Sequence, residues 1–153
     1  LALASQGVRT SAVRLPRSVH ERYVAYGFAG ILIAEARRSG VSAYVGDGNQ
    51  RWPAVHRRDA AALFRIMLER GEPGTVVNAV ADEGDTMLSL STAIGEQLGV
   101  PVQEVPAETF GPLGMVFGID QPATSAWTRE TYGWEPTHPG LLADLEAGDY
   151  PTT

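Results

Sequence analysis

The 153-residue chain contains no cysteine, and each of its 12 basic residues is arginine, so lysine is absent as well. Each absence closes off chemistry. Without cysteine there is no disulfide, no thiolate nucleophile and no cysteine-based zinc or iron–sulfur site within these residues. Without lysine there is no Schiff base, no Gly-Lys-Ser/Thr phosphate loop and no Tyr-xxx-Lys dehydrogenase pair. Arginine serves as well as lysine on most solvated faces, so the all-arginine set says little about function by itself. Long apolar runs are also missing. The longest, Phe28 to Ala34, is closed by Glu35, Arg37 and Arg38, far short of the roughly 18–20 residues a membrane span needs. Positive charge is scarce: with a net charge of -6 and a pI near 5.0, no basic stripe exists to neutralise phosphates. The densest basic cluster, Arg51, Arg57 and Arg58, is too small for a nucleic-acid face. Neither nucleic acid nor membrane is an expected partner.

What is present suits a domain with a real core, since 44% of the residues are hydrophobic and 20% charged. The lack of cysteine is compatible with the cytoplasm, the expected compartment. The chain opens on Leu1-Ala2-Leu3-Ala4 rather than on methionine. That run reads as the tail of a helix, so a fragment of a longer protein is expected.

Residues 1–5 should end a helix at Gly7. Val8 to Leu15 reads as a strand ended by Pro16, and Phe28 to Arg38 as a helix stopped by Gly40. Ser42 to Val45 reads as a strand, followed by turn residues Gly46-Asp47-Gly48-Asn49. Arg51 to His56 is a short extended piece that Pro53 restricts to a sheet edge. Asp59 is the expected N-cap of a helix over 60–70, with apolar positions 60, 63, 64, 67 and 68 on one face. Thr75 to Val80 has the β-branched look of a buried parallel strand. A helix from about Thr86 to Leu98, a strand at Val102 to Val105, a helical turn from Pro106 to Phe110, and helices over 123–132 and 138–147 complete the pattern. Met67, Met87 and Met115 read as core fillers, and the spacing of Tyr23 and Tyr26 favours packing over substrate contact.

This alternation of strands and helices implies an α/β fold with mostly parallel strands and right-handed crossovers. The stretch between Leu15 and Gly74 is long for one crossover and holds strands of its own, which points to a small subdomain outside the main sheet.

Four stretches add a resemblance. Val13-Arg14-Leu15-Pro16 looks like a strand ending in "R-x-P". Residues 46–61, Gly46-Asp47-Gly48-Asn49-Gln50-Arg51 through Val55-His56-Arg57-Arg58-Asp59-Ala60-Ala61, look like "G-x-G-x-x-R-x-x-x-V-H-V-x-D-x-A". Residues 74–80 look like a last sheet strand, and residues 128–136 like "T-R-E-x-L-G-W-x-P". Together, in this order, they resemble the C-terminal part of the extended short-chain dehydrogenase/reductases, the NAD-dependent epimerase/dehydratase family. The family's Gly-x-x-Gly-x-x-Gly loop and its Tyr-xxx-Lys pair are absent from these residues.

The resemblance implies the C-terminal part of a Rossmann-like, doubly wound parallel sheet spanning 1–153, with 17–73 and 81–153 contributing a substrate-binding subdomain. It implies NAD or NADP as cofactor of the full-length protein, an upstream half carrying the catalytic Tyr and Lys, a small-molecule substrate, and compatibility with a homodimer. No catalytic residue falls within this chain. A cofactor-sensing regulator without catalysis is the alternative on the same fold. Leu15, Pro16, Arg17 and Ser18 follow the strand end where open α/β sheets place ligands, so they are the expected cofactor contacts. Arg51 is the expected substrate contact, a planar fork suited to phosphates, against an ion pair with Asp47 or Asp59. Trp52 either walls an apolar substrate or packs, and His20 either lines the same cleft or sits in a solvated loop. His56 should make a structural hydrogen bond rather than hold a metal, because His20 and His138 are distant in sequence. Trp134, in the terminal signature, should be buried and structural.

Overall fold

The computed structural model describes residues 1–22 and 27–148; Tyr23 and Tyr26 lie outside them. Strand β4 (Arg51–His56) is the element around which the rest is arranged. It is central in a three-stranded sheet, parallel to β2 (Ser18–His20) and antiparallel to β6 (Asp82–Thr86). Two further parallel pairs flank this sheet. β1 (Ala12–Arg14) pairs with β5 (Val76–Asn78), and β3 (Ser42–Val45) pairs with β7 (Val102–Val105).

Helix α1 (Gly27–Ser39) leads into β3, α2 (Arg57–Arg70) follows β4 without a break, and α3 (Met87–Leu98) follows β6. Three short α-helices, α4 (Gly114–Phe117), α5 (Ala126–Tyr132) and α6 (Leu141–Glu146), and two 3-10 helices, Ala2–Gln6 and Ala107–Leu113, complete the described chain. Among the described residues no helix is long and apolar enough to cross a membrane.

The alternation of side chains along β4 divides the core in two. Trp52 and Ala54 face one cluster with Leu32, Ile33, Leu90, Phe117 and Leu141. Val55 faces the other, with Leu63, Met67, Val77 and Trp134. One six-residue strand thus ties together helices that pack on opposite sides of the sheet.

Several expectations are corrected. Pro53 sits inside a central strand rather than at an edge. The ladder tolerates it because the β4–β6 register is irregular between Trp52 and Ala54, which pair with Asp85 and Asp82; the missing N–H falls at a bulge. β6 forms against local propensity, because Asp82-Glu83-Gly84-Asp85 lacks the β-branched and aromatic residues that mark strands. Asp59 is not the N-cap of α2. The helix begins earlier, and the His56 side chain caps it, accepting from the Arg58 N–H at 3.2 Å. The buried face of α2 holds Ala60, Leu63 and Met67, while Phe64 is exposed and Leu68 is 72% exposed. Met115 is exposed instead of filling the core. The strand before Pro16 is confined to Ala12–Arg14.

Candidate functional site

Two polar constellations lie at opposite ends of β4. At its start, the Arg51 main-chain N–H and guanidinium both bind Asp120. The N–H donates to Oδ1 at 2.7 Å, Nε donates to Oδ1 at 3.1 Å, and an end amine donates to Oδ2 at 2.8 Å. These bonds, the side-chain ones foremost, pull the Asp120 carboxyl down to about 2. The partner is neither Asp47, which instead accepts from the Asn49 N–H, nor Asp59. Arg51 opens onto a cleft of about 280 Å³ that it lines with Glu83, Gly84, Pro122, Ala123 and Thr124. Glu83 Oε1 accepts from the Thr124 hydroxyl at 2.6 Å. The cleft therefore presents a guanidinium held by Asp120 and a carboxylate held by Thr124 beside Gly84, Pro122 and Ala123.

Gly84 lets the two strands approach here. A Cβ at this position would lie 2.7 Å from the Arg51 Cβ, so something must shift. Gly84→Ala is expected to cost about 1–3 kcal/mol by overpacking and to displace Arg51 from the cleft wall. Urea unfolding measures the first effect, and an unchanged midpoint would show that the strands separate freely.

Arg17 reaches the same end of the sheet. Its guanidinium donates to the Val116 carbonyl at 2.8 Å and to the Gln121 side chain, and it lies 4.8 Å over the Trp52 ring. Trp52 is fully buried against Phe28 and Phe117, and its indole N–H has no partner among the described residues. Ser18 Oγ is likewise buried and without a partner there. Leu15 is exposed just beyond β1, and Pro16 is half-buried. The segment around 116–121 thus gathers Arg17, Arg51 and Trp52, three of the residues singled out in the sequence, onto one side.

His20 is not among them. It joins the second constellation, at the far end of β4, where all three histidines of the chain meet. The pairing of β2 with β4 sets His20 beside His56, their ring centroids 5.5 Å apart and edge to face. His138, 82 positions after His56 in sequence, stacks on it at 4.5 Å with ring planes 8° apart. Distance along the chain was therefore a poor guide to these residues. Two carboxylates orient the outer rings. Asp144 Oδ2 accepts from His20 Nδ1 at 2.7 Å, and Asp59 Oδ1 accepts from His138 Nδ1 at 2.8 Å. Asp59 also accepts from the Thr137 and His138 N–H groups, and its carbonyl accepts from the Trp134 indole at 2.9 Å.

Burial alone would raise the Asp59 pKa, but the His138 hydrogen bond and the two backbone donors together hold it below the usual carboxylate value. Burial, and then the neighbouring His138 and His20, hold His56 below the usual imidazole value.

His56, Asp59 and His138 bring potential ligand atoms within 4.8 Å of one another, yet their bonding is not that of a metal cage. Asp59 already accepts three hydrogen bonds. Two nearly parallel stacked rings cannot both aim in-plane lone pairs at one ion between them. Arg57 and Arg58 add positive charge beside the cluster.

No family model matches the chain. An uncharacterized protein of Schizosaccharomyces pombe is 43% identical over 154 residues, covering 98% of this chain and 52% of that protein. An uncharacterized protein of Saccharomyces cerevisiae is 40% identical over 151 residues, 96% of this chain and 50% of that one. The chain spans about half the length of the curated relatives it matches. Among solved structures, dTDP-glucose 4,6-dehydratase from Streptomyces venezuelae with NAD bound superposes with a TM-score of 0.70 at 16% identity, over 95% of this chain and 44% of that one. UDP-glucose 4-epimerase from Thermotoga maritima with UDP-glucose gives 0.69 at 23% identity, over 94% and 46%. The fold is the Rossmann-type α/β fold of these enzymes. At such low identity the likeness establishes architecture, and the chemistry has to be argued from the residues.

Proposed function

We propose that these residues form the substrate-binding part of an NAD(P)-dependent oxidoreductase of the epimerase/dehydratase type, acting on a small carbonyl or hydroxyl compound. In this reading a Gly-rich phosphate loop and a Tyr-xxx-Lys pair lie upstream, and the hydride passes between nicotinamide and the substrate's C–OH carbon. Residues 17–73 and 81–153 build the substrate subdomain, and Leu15, Pro16, Arg17 and Ser18 lie along the nicotinamide end of the cofactor. The buried, unpartnered Ser18 hydroxyl supports a polar ligand contact there, since orphaned buried groups call for a partner.

The Arg51 cleft is the observation that carries the reading. Arg51 would polarise or pair with a substrate oxygen, and Glu83 would accept from a substrate hydroxyl. The cleft's roughly 280 Å³ lies just below the usual range of about 300–1,000 Å³ for small-molecule sites, which favours a compact substrate over a nucleotide sugar. Arg51→Ala in the full-length protein is expected to raise KM about tenfold or more, the worth of one charge-assisted contact, while nucleotide affinity stays unchanged. Steady-state kinetics with a panel of small carbonyl compounds checks this. Unchanged KM and kcat would remove Arg51 from the substrate site.

A further inference from the structure

We propose that the histidine end of β4 is a binding site for a phosphate or phosphoryl group, separate from the Arg51 cleft. It opens as a cleft of about 460 Å³ lined by Glu21, Arg22, His56, Arg57, Arg58 and His138, among others. None of its lining residues is shared with the Arg51 cleft.

Charge comes first. Arg22, Arg57 and Arg58 line this cleft together with the carboxylates of Glu21 and Asp144. Asp144 accepts from His20 and the adjacent Asp59 from His138, whereas Glu21 is held by two of the guanidinium groups. Glu21 already behaves as an internal anion: one oxygen accepts from Arg58 Nε at 3.1 Å and the other pairs with Arg57. Two guanidinium groups share that one carboxylate and are themselves 58% and 66% exposed, so N–H donors of both remain open to an anion at this concave surface.

The tautomers decide between oxyanions. His56 Nδ1 accepts from the Arg58 N–H, so the neutral ring carries its proton on Nε2 and is a donor there. His138 donates its Nδ1 proton to Asp59, so its Nε2 is an acceptor. A stacked donor and acceptor matches a monoprotonated phosphate, which offers both P–O⁻ and P–OH. An ionised carboxylate has nothing to give to His138. The phosphoryl group would take the His56 proton as a hydrogen bond, give its own O–H to His138 Nε2, and set its remaining oxygens against Arg57 and Arg58.

The test is a titration of the ¹⁵N-labelled protein with inorganic phosphate, reading the ring nitrogens of its three histidines. Phosphate should shift the Nε2 signals of His56 and His138 and leave buried His20 largely unmoved. Glu21→Gln removes the competing carboxylate and should tighten phosphate binding about tenfold, whereas Arg58→Gln should weaken it about tenfold. Malonate should bind more weakly than phosphate. Absence of histidine shifts at millimolar phosphate, or equal affinities for both variants, would overturn the site, and malonate binding as tightly as phosphate would overturn its assignment to phosphoryl groups. Because Glu21→Gln and Arg58→Gln are expected to move affinity in opposite directions, general loss of folding cannot imitate the result. An unchanged KM in Arg51→Ala would leave this site standing.

Discussion

Asp59→Ala is expected to lower the unfolding free energy by about 3 kcal/mol or more, because it removes the acceptor of three hydrogen bonds to a charged group, each worth about 1.5–3 kcal/mol. The carboxylate is buried and receives three donors, the Thr137 and His138 N–H groups and His138 Nδ1. Alanine would leave the two backbone donors without an acceptor and free the His138 ring. Helix propensity does not offset this, since the gain of one alanine is well under 1 kcal/mol. The pH dependence has a definite sign. The folded-state pKa lies below the reference value of 3.8, so the contribution of Asp59 is complete above that value and is lost as pH falls through the lower folded value. Urea unfolding of both proteins should therefore show a gap that is constant near neutrality and narrows in acid. A gap of less than about 0.5 kcal/mol at pH 7, the range of ordinary surface changes, would contradict the role assigned to Asp59.

Trp52→Ala should be comparably severe, costing about 3–5 kcal/mol through the cavity it leaves. The ring is fully buried between Phe28, Phe117 and the Arg17 guanidinium. Phenylalanine at the two buried tryptophans separates packing from hydrogen bonding. The Trp52 indole N–H has no partner among the described residues, whereas that of Trp134 donates to the Asp59 carbonyl. Trp134→Phe should therefore cost about 1 kcal/mol more than Trp52→Phe, the net worth of a buried hydrogen bond. Equal losses would mean that the Trp134 bond contributes nothing.

The fold was legible wherever local chemistry and tertiary context agree. The α/β class, the strands at Ser42–Val45 and Val102–Val105, and the helix stop at Gly99 follow from periodicity and left-handed glycine. β6 was illegible because its acidic residues are held by pairing with β4, which no local propensity reveals. Pro53 misled for a similar reason, since only the partner strand shows the bulge that accepts it. Asp59 reads as a cap by residue type, yet its carboxylate turns inward to residues 137 and 138. At the Arg51 cleft the arginine was visible, but Glu83 and Thr124 come from segments without a motif. The histidine cluster could not be read at all: its three members are far apart in the chain, and only β2–β4 pairing and the return of the 134–138 segment bring them together.

The most direct measurement follows hydride itself. NAD(P)H carrying deuterium at its reactive carbon would be incubated with the full-length protein and a panel of small aldehydes and ketones, and the products examined by mass spectrometry. Deuterium should appear on the former carbonyl carbon of at least one product, and Arg51→Ala should raise the concentration of that compound needed for transfer. Nucleotide binding with no deuterium transfer to any carbonyl compound would contradict the proposed oxidoreductase and favour a cofactor-sensing protein on the same fold.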